Sequence, residues 1–191
     1  TLALSMEGGG GFEIWQFTSR VTEKATSPIN LGDYGFYACK IKSRNIEKSY
    51  AFFSQNKVEI ISEITQNKLG KKSFFIKDPN GNLFQIVEGR GFFKDTKHPS
   101  YCGGVAGTII GVSDIDQSLK LYKDILGYST IEVDETGSID NFNALSREEK
   151  LVRRVILAHP EQRKGPFAKL LGPTEIELVQ ALDPTGHKKI F

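Results

Sequence analysis

Three segments of this chain follow nearly the same pattern. FEIWQF (12–17), FQIVEG (84–89) and IELVQA (176–181) each run apolar, Glu or Gln, apolar, apolar, and each follows a glycine-containing turn, GGGG, PNGN or LLGP. Repetition constrains architecture before any single residue does, because every copy must build the same supersecondary unit. A second block repeats too: SRNIEKSYAFF (43–53) against VSDIDQSLKLY (112–122), with Ile46 matching Ile115, Ser49 matching Ser118 and Phe53 matching Tyr122. Ile46, Tyr50 and Phe53, or Ile115, Leu119 and Tyr122, recur at i, i+4 and i+7. That is one helical face, and Asn45 or Asp114 stands ahead of it as a residue type suited to capping a helix N-terminus.

Each block therefore predicts an amphipathic helix. Extended apolar runs precede them, GFYACKI (35–41) and VAGTIIGV (105–112), and VEIISEI (58–64) or YSTIEV (128–133) follows. The middle unit reads strand 35–42, helix 45–55, then strands 58–64, 72–77 and 83–88, with Asn80-Gly81 as the hairpin signal because both residues tolerate positive φ. That order is βαβββ, an α+β class. The third unit repeats it with a longer middle. Residues 1–30 hold the last two strands of an incomplete first unit plus a linker, 31–92 the second unit, 93–103 a linker with Pro99, 104–183 the third unit, and 184–191 a tail. On this reading the chain is a piece of a longer protein.

Composition excludes other classes. With 39% hydrophobic and 25% charged residues the chain can bury a core, so disorder is not expected. Net charge is +2, and the basic residues lie in small scattered groups without interleaved aromatics, which argues against a nucleic-acid footprint. No apolar run approaches the roughly 20 residues a membrane helix needs, so a soluble cytoplasmic protein is expected. Cys39 and Cys102 have neither metal-site nor redox spacing. GGGG (8–11) precedes a strand, so it reads as a flexible hairpin tip and not a phosphate loop.

The helix motif VSDIDQSLKLYKDILGY (112–128) and the closing hairpin DPNGNLFQIVE (78–88) resemble the vicinal oxygen chelate superfamily, which includes glyoxalase I, bleomycin-resistance proteins and extradiol dioxygenases. The resemblance covers 35–89 and 104–182 well and 1–17 in part, and it is similar to the central part of a longer, two-domain bacterial protein with four modules. It implies curved mixed sheets pairing edge to edge into a cup with helices outside. It also implies a divalent metal (Zn, Fe, Mn or Ni) at the cup floor, held by a first-strand residue and a last-strand Glu of each module. Such a metal acts as a Lewis acid on a chelated small molecule.

The last-strand slot holds Glu13, Gln85 and Glu177 in the three repeats; the first-strand slot, seven residues before the capping residue, holds Ala38 and Gly107. Strand alternation puts the Glu/Gln side chains on one face and the Ile/Phe side chains on the other, so the Glu/Gln face should line the cup. Glu13, Glu177 and Gln85 are the candidate metal ligands. Whether the first and second repeats pair, or the third pairs beyond residue 191, the slots supply too few donors for a complete chelate. The floor is therefore expected to be degenerate or completed elsewhere. No catalytic residue is identified.

Trp15, Phe17, His159 and Arg154 are the candidate substrate contacts; His98 and His187 read as surface residues. The extra length of the third unit falls mostly in 135–149 and 159–172, with Asp140, Asn141, Asn143, Arg147, Arg163 and Lys164; loops this long are often lids or partner contacts, and Arg153, Arg154, Arg163 and Lys164 could meet an anionic ligand or form a solvated basic rim. Three functions stay open: a metal-dependent lyase or oxygenase, a metal-free cup for a small molecule, and a scaffold module. The partners expected are a small-molecule ligand and a second copy or further modules.

Overall fold

The structure, a computed structural model, describes residues 1–23, 29–89, 91–92, 97, 100–139, 142, 145, 149–162 and 164–183. Asp140, Asn141, Asn143, Arg147, Arg163, His98 and His187 lie outside the described residues. The second unit comprises β3 (Gly35–Ser43), α1 (Ile46–Gln55), β4 (Glu59–Ile60), β5 (Thr65–Gln66), β6 (Lys72–Lys77) and β7 (Leu83–Glu88). The third comprises β8 (Cys102–Gly111), α2 (Ile115–Leu119) running on as a π-helical turn over Lys120–Ile125, β9 (Thr130–Ser138), β10 (Leu151–Ala158), the short α3 (Ala168–Leu171) and β11 (Glu175–Ala181). The first unit supplies β1 (Leu2–Leu4) and β2 (Gly11–Glu13), an antiparallel ribbon separate from the main sheet.

One mixed sheet joins the two complete units in the order β4-β6-β7-β3-β8-β11-β10-β9, with β5 also on β6. The halves mirror each other about the antiparallel β3–β8 pair, and each half has a parallel pair, β3 with β7 and β8 with β11. The second and third units therefore pair through their first strands, a pairing distinct from the two weighed on the sequence. Among the described residues no helix is long and apolar enough to cross a membrane.

Local chemistry sets these elements. The Asn45 side chain accepts from the Lys48 N–H (2.8 Å) and that of Asp114 from the Gln117 N–H (3.0 Å), which satisfies N–H groups the first helical turn leaves open. Asp78 accepts from the N–H groups of Asn80 and Asn82, and Gly81 takes φ +92, so DPNGN forms the predicted hairpin. The expected strand 58–64 is broken into β4 and β5, because the Ser62 hydroxyl accepts the Phe75 N–H (2.9 Å) that a strand carbonyl would otherwise take. The GGGG turn is docked rather than loose: the Gly10 N–H donates to the Leu170 carbonyl (2.6 Å) and the Val105 N–H to the Gly9 carbonyl (3.0 Å).

The two faces of the sheet separate as alternation predicts. On the outer face Phe74, Ile76 and Ile86 pack on Ile46, Tyr50 and Phe53 of α1, and Ile110, Val155, Leu157 and Leu178 pack on Ile115, Leu119 and Tyr122. The inner face carries Ala38, Phe75, Ile109, Val152 and Val179, and Leu31 and Phe142 close over them. Phe142 comes from the long insert of the third unit and is wholly buried. Phe142 covers part of the inner face. We predict that Phe142→Ala lowers unfolding stability by about 3–5 kcal/mol, the range for emptying a buried aromatic site, measured by urea denaturation.

Candidate functional site

The cup floor lies where the two units meet. On β7, β3, β8 and β11 the residues Gln85, Lys40, Gly107 and Glu175 are lateral neighbours, so their side chains share one rung of the inner face. Glu177, two residues further along β11, projects from the same face. The Lys40 ammonium reaches across β8 and binds the carboxylates of both Glu175 (2.5 Å) and Glu177. Gly107 leaves the path clear: a Cβ there would stand 2.0 Å from the Glu175 carbonyl oxygen and 3.0 Å from its Cγ.

The ion pairs continue outward on both sides. Arg154 contacts Glu135 (2.9 Å) and Glu177 (3.6 Å), and its guanidinium lies 5.7 Å from the Phe142 ring centroid. Lys68 reaches Glu135 (2.8 Å), and Lys71 reaches Glu132 (3.2 Å) and Glu175 (3.8 Å). Lys40, Arg154 and Glu177 are each buried at the centre of this chain of charges. Burial pushes the Lys40 ammonium down, but Glu177 and Glu175 outweigh it and hold its pKa above the ordinary lysine value. Burial pushes the Glu175 carboxyl up, and Lys40, with smaller pulls from Lys71 and Arg154, brings it below the usual carboxylate range.

The amide of Gln85 donates to the Ser73 hydroxyl (3.2 Å), while its buried Oε1 has no hydrogen-bond partner among the described residues. Gln85 and Glu177 thus occupy equivalent last-strand positions on one floor. Ala38 sits in the apolar inner layer, and Gly107 forms the bare rung. The remaining sequence candidates lie elsewhere. Glu13, exposed on the ribbon, accepts from the Trp15 indole N–H (3.1 Å); Trp15 is 74% and Phe17 49% exposed. His159 lines a separate cavity beyond β10, with Nδ1 held by the Glu161 backbone.

Sequence reasoning missed Lys40 and Glu175. A signal existed: lysine is rarely fully buried unless paired, and YACKIKS places Lys40 and Lys42 on the same face of an apolar strand as Ala38. TEIELV likewise places Glu175 and Glu177 on one face.

The floor does not suit a divalent metal. Its two best donors, Glu175 and Glu177, are already bound to an ammonium, and a buried guanidinium also faces Glu177. The first-strand slots offer no side-chain donor. Among the described residues no group of three or more His, Cys, Asp or Glu is placed to hold a metal ion.

Comparison with known proteins finds one family match and several distant structural likenesses. The model of the Glyoxalase/Bleomycin resistance protein/Dioxygenase superfamily matches residues 7–86. No curated protein sequence matches the chain. Among solved structures, glyoxalase I from Zea mays is 17% identical with a TM-score of 0.46, covering 80% of this chain and 45% of that one. A putative dioxygenase from Bacillus subtilis is 16% identical with a TM-score of 0.46, covering 83% and 43%. A Glu-to-Gln variant of methylmalonyl-CoA epimerase from Streptomyces coelicolor is 14% identical with a TM-score of 0.41, covering 78% and 99%. The chain spans a little under half the length of the maize and Bacillus structures. The family match covers residues 7–86, less than half of the chain, and makes that segment similar to the Glyoxalase/Bleomycin resistance protein/Dioxygenase superfamily.

Proposed function

We propose that the paired second and third units work as a metal-independent module of this superfamily, with the cup floor held by charge pairing instead of a divalent ion. The observation that carries this reading is the Lys40 ammonium between Glu175 and Glu177. A divalent cation there would have to displace a buried ammonium and stand beside a buried guanidinium. Like charges at such range in a poorly screened interior repel strongly. Lyase or oxygenase chemistry through a metal at this floor is therefore disfavoured. The free recess among Lys40, Gln85, Arg154, Glu175 and Glu177 is only about 30 Å³, room for about one water. The floor joins two units, and a small-molecule partner belongs at another site.

Metal analysis of the purified protein tests this reading. We expect no stoichiometric Zn, Fe, Mn or Ni. Lys40→Ala, which frees both carboxylates, is expected to gain divalent-metal affinity in a competition titration. Stoichiometric metal in the wild type that is lost in Glu177→Ala would overturn the proposal.

The charge chain also predicts a pH signature. Lys40→Met strands two carboxylates and should cost about 3–5 kcal/mol at pH 7, as breaking a buried pair by removing one partner does. The Glu175 pKa is depressed, so its contribution is full above the unfolded value of about 4.3 and fades as pH falls through the lower folded value. The Lys40 pKa is raised, so its contribution is full below about 10.4 and fades as pH rises through the higher folded value. The stability gap between wild type and Lys40→Met should thus be flat between those limits and narrow in acid, as read from urea midpoints across pH.

A second reading concerns the ribbon. β1–β2 repeats the closing hairpin of a unit, yet Leu2, Leu4, Ile14 and Trp15 are exposed where the other copies pack under a helix. This favours docking on a further βαβββ unit. The isolated 191-residue chain should then self-associate in sedimentation with a blue shift of Trp15 emission; a monomer with solvent-like Trp15 emission would count against it.

A further inference from the structure

The recess at the cup floor has no room for an organic ligand, but a cavity elsewhere does. It lies beyond β10, among the end of that strand, α3 and the segment after β7, and offers about 430 Å³. That volume falls in the range of small-molecule sites. Phe92, Ala158, Ala168 and Pro173 give it apolar walls, and Gly91 and Gly172 add backbone without side chains. Apolar walls gain from apolar surface brought against them, and the flat rings of Phe92 and His159 suit stacked or edge-on contact with another ring.

The walls are held in place by their own neighbours. The Arg44 guanidinium lies 4.1 Å from the Phe92 ring centroid. The Thr174 hydroxyl, also in the lining, is 3.1 Å from the Tyr128 hydroxyl, and the Tyr128 ring meets the His159 ring edge-on at 6.3 Å. The Glu161 main chain engages His159 Nδ1 at 3.1 and 3.2 Å. Pro173 packs so closely on Gly91 that a Cβ there would stand 2.9 Å from its Cδ. Walls placed in advance lower the ordering cost of binding. The charged lining groups, Glu161 and Lys169, are of opposite sign and both exposed, and Glu161 also lies 4.0 Å from Lys164. Exposed charges are screened by water and salt, so this rim selects no ion. The cup floor plays no part, so this site stands or falls apart from the metal-independent reading.

We infer that this cavity binds a neutral aromatic molecule of one or two rings, its body against Phe92, Ala168 and Pro173 and its polar edge, where it has one, towards the exposed rim of His159 and Lys169. The test is calorimetric titration of the protein with indole and 2-naphthol, alongside the charged 2-naphthoate and 2-naphthylmethylammonium. Wild type should bind at least one neutral probe saturably and neither charged probe more tightly. In NMR spectra recorded along the titration, the backbone amides of Phe92, Ala158, Ala168 and Thr174 should shift most. F92A should weaken binding roughly tenfold or more, as loss of a buried ring contact does, and A168W, which fills the cavity, should abolish it while keeping the wild-type circular dichroism. No saturable binding of either neutral probe, tighter binding of a charged one, largest shifts on the β1–β2 ribbon, or unchanged affinity in both variants would overturn the inference. If a variant fails to fold, the probe series and the shift map of the wild type decide alone.

Discussion

The architecture turns on a single ammonium. Lys40 belongs to the second unit, and the carboxylates it binds, Glu175 and Glu177, belong to the third. The bond crosses β8, so it ties β3 to β11 over a rung where Gly107 has no side chain. Charges this deep are stable only when paired, and leaving one partner out costs more than the pair is worth. Every charged neighbour follows from this constraint. Arg154 takes the other side of Glu177, Glu135 takes Arg154, and Lys68 and Lys71 hand the pattern to solvent.

The two halves of the sheet have the same topology and different chemistry. In one half the last-strand position is Gln85, bonded to Ser73; in the other it is Glu177, bonded to Lys40. A floor with one carboxamide, the two carboxylates Glu175 and Glu177, and the two cations Lys40 and Arg154 is neutralised by its own side chains. The resemblance implies a metal facing the last-strand Glu, but Glu177 at that position faces an internal cation. Shared fold and separate chemistry are compatible, because the sheet and helices are held by the outer apolar face and the site by the inner one.

Much of the fold could be read in the chain. The apolar stripes Ile46, Tyr50, Phe53 and Ile115, Leu119, Tyr122 face the sheet as their periodicity predicts, since a helix repeats its face every three to four residues whatever lies across from it. The inward direction of Gln85 and Glu177 was equally legible from strand alternation. The pairing of Lys40 was not, because its partners Glu175 and Glu177 lie far along the chain from it. Irregular pairing between β3 and β8 near Ala38 and again near Lys40 alters which residue meets the rung. The burial of Arg154 was hidden for a related reason: Phe142, arriving from the insert, covers it.

The sequence alone determined the repeat, the βαβββ order, the capped helices, the DPNGN hairpin and the sorting of residues onto two faces. All of these depend on interactions a few residues long or on a fixed period. Tertiary structure alone decided that the second and third units pair through β3 and β8, that Lys40 meets two carboxylates far along the chain, and that Lys42 beside it meets none among the described residues. Those outcomes depend on which side chains converge in space, and charge compensation in a buried site is a property of that convergence rather than of any local pattern.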